Sequence, residues 1–260
     1  VRWFRTIRIA VLLFILVIVA ASTWQDRYHS TRWHEPLFVA LYPIAADDSP
    51  VTRAYVDSLD DARFASLDRF FAREAGRYGL AIALPFKTRR QPKLEGLPPE
   101  RSPQGSLLGT ALWSLRLRFW AWQVTRHARE PADVRVFVLY HDPAITPTVP
   151  HSLGLTKGLI GVVYAFAAPM MNDENDVVIA HELLHTVGAT DKYDPTNDAP
   201  RFPDGYGNPD QVPLYPQVDA EIMAGRRMLT PTRWDQATTL DEVVIGAATA
   251  AEIRWPTRSR

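Results

Sequence analysis

The sequence predicts an α+β domain: a mixed, twisted sheet with helices packed on it, an irregular C-terminal part, and one N-terminal transmembrane helix. Three observations lead there. Apolar, β-rich runs alternate with stretches of helical periodicity through most of the 260 residues, in the order β-α-β-α-β-β-α. From Asp194 to Pro216, proline and glycine interrupt every pattern. An uncharged apolar run from Ile9 to Trp24 follows Arg2, Arg5 and Arg8.

The N-terminal run reads in two ways. It is a membrane anchor, with the arginines inside and Trp24 at the outer interface, or a cleavable signal peptide, with Val19 and Ala21 before the cut. It is short of the ~20 residues that a span needs, but Trp3, Phe4 and Ile7 extend it, and the uncleaved anchor is the favoured reading. The expected organisation is an anchor or signal segment over 1–24 and one domain over 25–260, with subdomains 36–188 and 189–260. The expected placement is a bacterial cytoplasmic membrane, single-pass, with the domain periplasmic or at the cell surface, or secreted if the segment is cut. The membrane is then a partner through the N-terminal helix. Lys plus Arg and Asp plus Glu both number 29, so no charge excess points to nucleic acid. The chain has no cysteine, so any zinc site must draw on His, Asp or Glu.

Each element has its own signal. Residues 36–44, Pro-Leu-Phe-Val-Ala-Leu-Tyr-Pro-Ile, form a buried strand ended by an acidic turn. Over 51–78 apolar residues recur at helical spacing (Phe64, Leu67, Phe70, Phe71, Ala75), with Asp60 and Asp61 as start signals and Gly79 as the stop. A second strand is expected at 80–86, then a proline-rich basic loop over 87–106. The helix at 107–128 is rich in tryptophan; Trp113 and Trp120 share a face, and the tryptophans read as core. Strands follow at 133–142, which alternates, and at 158–170. A last helix is expected around 240–253.

The chemistry concentrates after residue 171. Asn172, Asp173, Glu174, Asn175 and Asp176 supply a cap and first-turn carboxylates for a helix, a better reading than a calcium loop. Ala180, Leu183, Leu184 and Val187 then fall on one arc. His181 and His185 lie one turn apart at the edge of that arc, with Glu182 further round. Two imidazoles at i and i+4 grip one ion while the carboxylate stays free beside it, the H-E-x-x-H zinc arrangement with its general base. A catalytic zinc takes a third protein ligand. Gly188 can end the helix in the left-handed conformation and return the chain so that Asp191 meets the metal. Asp194 ranks second, as ligand or as a carboxylate orienting a histidine, and Glu221 third. Lys192 is expected to pair with one of the aspartates, and Tyr193 and Tyr215 are candidates for an oxyanion-stabilising phenol. His29, His34, His127, His141 and His151 lack partners at ligand spacing and read as structural or surface residues.

The run His181-Glu182-x-x-His185-x-x-Gly188-x-x-Asp191, followed by Ala-Glu-Ile-Met-Ala-Gly at 220–225, resembles the metzincin zinc metallopeptidases. Their extended motif is H-E-x-x-H-x-x-G-x-x-H/D with a Met-turn downstream. Asp at the third position matches the snapalysin-type branch. The resemblance spans 180–225. It implies a zincin-type fold, a Zn2+ cofactor, His181, His185 and Asp191 as ligands, Glu182 as general base, and Met223 as the methionine of the turn. It also implies an edge strand that pairs with an extended peptide substrate, a place that 158–167 is expected to fill. The expected activity is zinc-dependent endopeptidase; the alternatives are a catalytically inactive, protease-like binding module of the cell envelope and a zinc amidase acting on cell-wall peptides.

Overall fold

The computed structural model describes residues 31–100, 106–128, 130–156 and 158–256, with residues 3, 7 and 8. In chain order the elements are β1 (Leu37–Ala45), α1 (Pro50–Ser58), α2 (Ala65–Tyr78), β2 (Phe86–Arg90), α3 (Leu107–Thr125), β3 (Val134–His141), β4 (Leu153–Leu155), β5 (Ile160–Phe166), α4 (Asn172–Thr186), β6 (Ala220–Glu221), β7 (Arg226–Thr230), β8 (Arg233–Gln236), β9 (Val243–Val244) and α5 (Ala247–Glu252).

The first sheet has the order β2-β1-β3-β5-β4. Its first four members run parallel, and β4 closes the edge antiparallel to β5. The central strands are buried along almost their whole length because helices cover both faces. On one face Leu41, Val136 and Val138 meet Phe70 and Phe71 of α2 and Leu183 and Leu184 of α4. On the other, Tyr42, Phe137 and Val162 meet Leu117 and Ala121 of α3. Trp113 and Trp120 pack against this second cluster, whereas Trp122 is exposed. A smaller sheet, β8-β7-β6-β9, follows the metal-motif helix. It is joined to the first part by Glu74 of α2, which is buried, accepts from the Ile245 N–H at 2.8 Å and pairs with Arg77 at 2.8 Å.

The mixed α+β class stands, with several corrections. The N-terminal transmembrane helix does not: no helix among the described residues is long and apolar enough to cross a membrane. The longest of them, α3, carries Arg116 and Arg118 at mid-length and spends one face on the sheet. Residues 9–24, on which the expectation rested, lie outside the described residues. The membrane as a partner through that helix, and the single-pass periplasmic or cell-surface placement drawn from it, are withdrawn with it.

Other differences are local. The stretch 51–78 is two helices, because Ser49 caps a first one at Pro50 with its hydroxyl accepting from Val51 N–H, and the chain is extended at Leu59. Gly79 ends the second at φ 68°, as its lack of a side chain predicts. The second strand is Phe86–Arg90, not 80–86. It alternates buried Phe86 and Thr88 with exposed Lys87 and Arg89, the pattern of a charged sheet edge. The strand beside α4 that closes the sheet is Leu153–Leu155; 160–166 lies inside, paired on both sides. The C-terminal part is less irregular than expected: it holds the second sheet, and the final helix shortens to α5 because 243–244 pair as a strand with 220–221.

Candidate metal centre

The apolar arc of α4 (Ala180, Leu183, Leu184) is fully buried, which fixes the helix rotation and turns His181 and His185 toward a cleft. Of the five polar residues expected to cap its start, Asn172, Asn175 and Asp176 are tertiary anchors, and no side chain caps the helix. Asn175 makes two hydrogen bonds to the backbone of Phe166, at 3.0 and 2.9 Å. Asn172 accepts from the Tyr55 hydroxyl at 2.6 Å, and Asp176 from Arg63 at 2.7 Å. The helix ends at Thr186, and Gly188 at φ 110° reverses the chain, with Ala189 N–H returning to Leu184 C=O at 3.1 Å.

Each imidazole is fixed from behind. His181 Nδ1 lies 2.9 Å from the Ile222 carbonyl, and His185 Nδ1 lies 2.8 Å from the Ala189 carbonyl. A carbonyl can only accept, so Nδ1 carries the proton and Nε2 presents a lone pair in each neutral ring. The two Nε2 atoms face one another at 3.1 Å. Asp191 Oδ1 stands 3.2 Å from both. Three acceptors therefore converge with no hydrogen left for them to share, and a cation is the partner that such a donor set lacks. Their spacing is close to the ~3.3 Å that separates ligands around a tetrahedral ion with bonds of ~2.0–2.1 Å. Burial works against ionisation of Asp191, but the two imidazoles facing it outweigh burial and hold its carboxyl well below the usual range.

Glu182 completes the cluster. His181, Glu182 and His185 bring ligand atoms within 4.8 Å of one another. Glu182 is buried, and its Oε2 has no hydrogen-bond partner. Burial pushes its carboxyl above the usual range, against the pull of the two imidazoles and of the Gly154 N–H. Gly154, in the edge strand β4, is why the strand comes so close. A Cβ there would lie 2.3 Å from Glu182 O and 2.5 Å from His185 Cβ. Thr156 Oγ1 adds a hydrogen bond to His185 C=O at 2.9 Å.

The turn carrying Met223 lines the cleft through Ile222, Ala224 and Gly225. Met223 is fully buried, and its carbonyl accepts from Lys192 N–H at 3.0 Å, next to Asp191. Glu221, the third-ranked ligand, points away from the imidazoles into this turn. It accepts from Met223 N–H (2.6 Å), Ala224 N–H (3.1 Å), Gly246 N–H (3.1 Å) and the Thr249 hydroxyl (2.6 Å). Asp194 caps its own loop through Thr196, at 2.9 and 2.7 Å. Lys192 pairs with Glu252 at 2.7 Å, not with an aspartate.

The cleft has a volume of about 360 Å³. Tyr193 lines it, and Tyr215 does not; the Tyr215 hydroxyl meets that of Tyr206 at 3.0 Å. His151 and Arg226 also line it, and neither stood out in the sequence. His151 had no ligand-spaced partner, and only its place just before a short Leu-Gly-Leu run could have drawn notice. Arg226 follows the methionine turn directly, pairs with Asp198 at 3.3 Å and lies over Trp234 at 4.8 Å. His29 lies outside the described residues.

No family model matches the chain, and no curated protein matches it. The site rests on its own geometry: a half-buried His-Glu-x-x-His cluster able to coordinate a metal ion, consistent with a metal-dependent hydrolase.

Proposed function

We propose that the chain is a zinc-dependent endopeptidase of metzincin type, with His181, His185 and Asp191 as the metal ligands and Glu182 as the general base. The observation that carries the reading is the convergence of three partnerless acceptors, His181 Nε2, His185 Nε2 and Asp191 Oδ1, beside a buried carboxylate oxygen without a partner. A bound zinc ion supplies Lewis acidity, polarising a carbonyl and acidifying water.

The remaining work falls to side chains. Glu182 Oε2, free of other hydrogen bonds, takes a proton from the attacking water and delivers it to the leaving amine. Its raised affinity for protons suits a group that must both accept and return one. The carbonyls of Ile222 and Ala189 hold the imidazoles in the tautomer that binds metal. Tyr193, at the cleft wall, is the better placed of the two tyrosines to donate to a developing oxyanion. Burial pushes its phenol above the ordinary value and so keeps it protonated at neutral pH.

Peptide is favoured as substrate by β4. It is the edge of the sheet, it rests on α4 beside Glu182, and an extended chain can pair with its outer backbone. The division into subdomains 36–188 and 189–260 belongs to the same proposal, with the cleft between α4 and the methionine turn. The test is zinc content and peptide cleavage in the wild type and in Glu182→Gln. One zinc per chain, and a loss of ~10²–10⁴-fold in rate with zinc retained, is expected. Undiminished cleavage by the variant refutes the mechanism; a metal-replete wild type inert on broad peptide libraries favours the binding-module alternative.

A further inference from the structure

Helix α3 is apolar on two sides. Leu117 and Ala121 are buried on the sheet. On the outer side Leu108, Leu112, Leu115, Phe119 and Trp122 are each between 51% and 80% exposed. Single exposed apolar side chains need no explanation, but five aligned on one helix do. They alternate four and three residues apart, the spacing of a coiled-coil seam, and run along about 21 Å of helix. A lipid interface calls for a broad apolar face. This stripe is one side chain wide, flanked by Gly109, Arg116 and Gln123 on one side and by Ala111, Arg118 and Thr125 on the other.

Charge narrows the occupant. Residues 106–128 contain no Asp or Glu. Arg116 and Arg118 hold the two flanking rows, and Arg126 closes the stripe with its guanidinium 5.7 Å from the Trp122 ring. A second copy of the chain would set these arginines against their own counterparts in either orientation, and flanking charges decide partner choice in such seams. The N-terminal apolar run is no better matched, since arginines are the only charged residues in 1–25.

We propose that the outer face of α3 docks an amphipathic helix of another protein, one with a coiled-coil apolar seam and acidic residues on either side of it. The face lies across the sheet from α4, so the docking is independent of the metal centre.

The test uses the full chain and two fluorescent four-heptad peptides with leucine at both seam positions. One carries glutamate at the flanking positions, where its own like charges keep it from self-pairing; the other carries lysine. The glutamate peptide is expected to bind at least ~10-fold more tightly at low salt, with the difference shrinking as salt rises. The double variant Leu115→Ser/Phe119→Ser is expected to lose at least ~10-fold in affinity with an unchanged melting temperature, because both side chains are exposed. Arg116→Glu should erase the preference between the peptides. Equal affinity for both peptides, or binding to neither, overturns the proposal. So does dimerisation of the chain, or flotation with phosphatidylglycerol vesicles, that the double variant abolishes while peptide binding is absent.

Discussion

Replacing Gly154 with alanine probes the contact on which the cleft depends. The added Cβ falls 2.3 Å from the Glu182 carbonyl oxygen and 2.5 Å from His185 Cβ. Ordinary contact begins near 3.4 Å, so β4 and α4 must part by about 1 Å. Neither obstacle is the tip of a flexible side chain: one is helix backbone, the other the first side-chain atom of a proposed ligand. Such overpacking costs about 1–3 kcal/mol, which for a chain of this size lowers Tm by roughly 2–12 °C. A second effect follows from the Gly154 N–H, whose dipole acts on the Glu182 carboxylate. Displacing a base by ~1 Å costs on the order of 100-fold in rate. The assay is a thermal melt with zinc content and kcat/KM on a peptide substrate. Gly161→Ala serves as the control, because its Cβ meets Val136 only at 3.4 Å. A Gly154→Ala protein that melts and cleaves like the wild type would refute the reasoning; one that melts lower but cleaves normally would show that the strand does not position the base.

Other perturbations separate neighbouring roles. Asp191→Ala should weaken zinc binding by at least ~100-fold in a competitive chelator titration, while Asp194→Ala leaves it unchanged; the reverse order would transfer the ligand role. Glu221→Ala strands the Met223 and Gly246 N–H groups and the Thr249 hydroxyl in the interior, while Ala224 N–H keeps the Glu221 backbone carbonyl, so its urea midpoint should fall by the equivalent of about 3–5 kcal/mol, and a loss below 1 kcal/mol would contradict those hydrogen bonds. Glu252 is a pH marker. Burial pushes its carboxyl up, but Lys192 and Thr190 outweigh that and leave it below the ordinary value. A depressed carboxylate contributes stability above the unfolded value, near 4.3, that is lost as pH falls through the folded one. The gap in urea midpoint between wild type and Glu252→Gln should therefore be present at pH 7 and close in acid; a gap that persists below pH ~3 would remove the ion pair as its cause.

Much of the site was legible in sequence because its key signals are local. His181, Glu182 and His185 sit within one turn of a helix whose rotation follows from Ala180, Leu183 and Leu184, and Gly188 announces the reversal by itself. Long apolar strands such as 37–45 and 134–141 were equally plain. Short pieces were not. β4 has three residues and no alternation, and 80–86 outcompeted 86–90 in apolar content although Lys87 and Arg89 are what an exposed edge demands. The helical stretch 107–125 hid its outer stripe, since a helix apolar all round gives no sequence sign of which face the sheet will cover.

By itself, then, the sequence determined the α+β class, the metal-motif helix and the turn that follows it, because each depends on residues within a few positions of one another. The tertiary structure decided what distant segments do to one another. It put Asp191 against both imidazoles and turned Asp194 and Glu221 to other partners. It brought Gly154 onto Glu182, drew His151 and Arg226 into the cleft and left one face of α3 open. Those outcomes are set by packing between elements tens of residues apart, where van der Waals contact and buried hydrogen bonds leave no trace in local spacing.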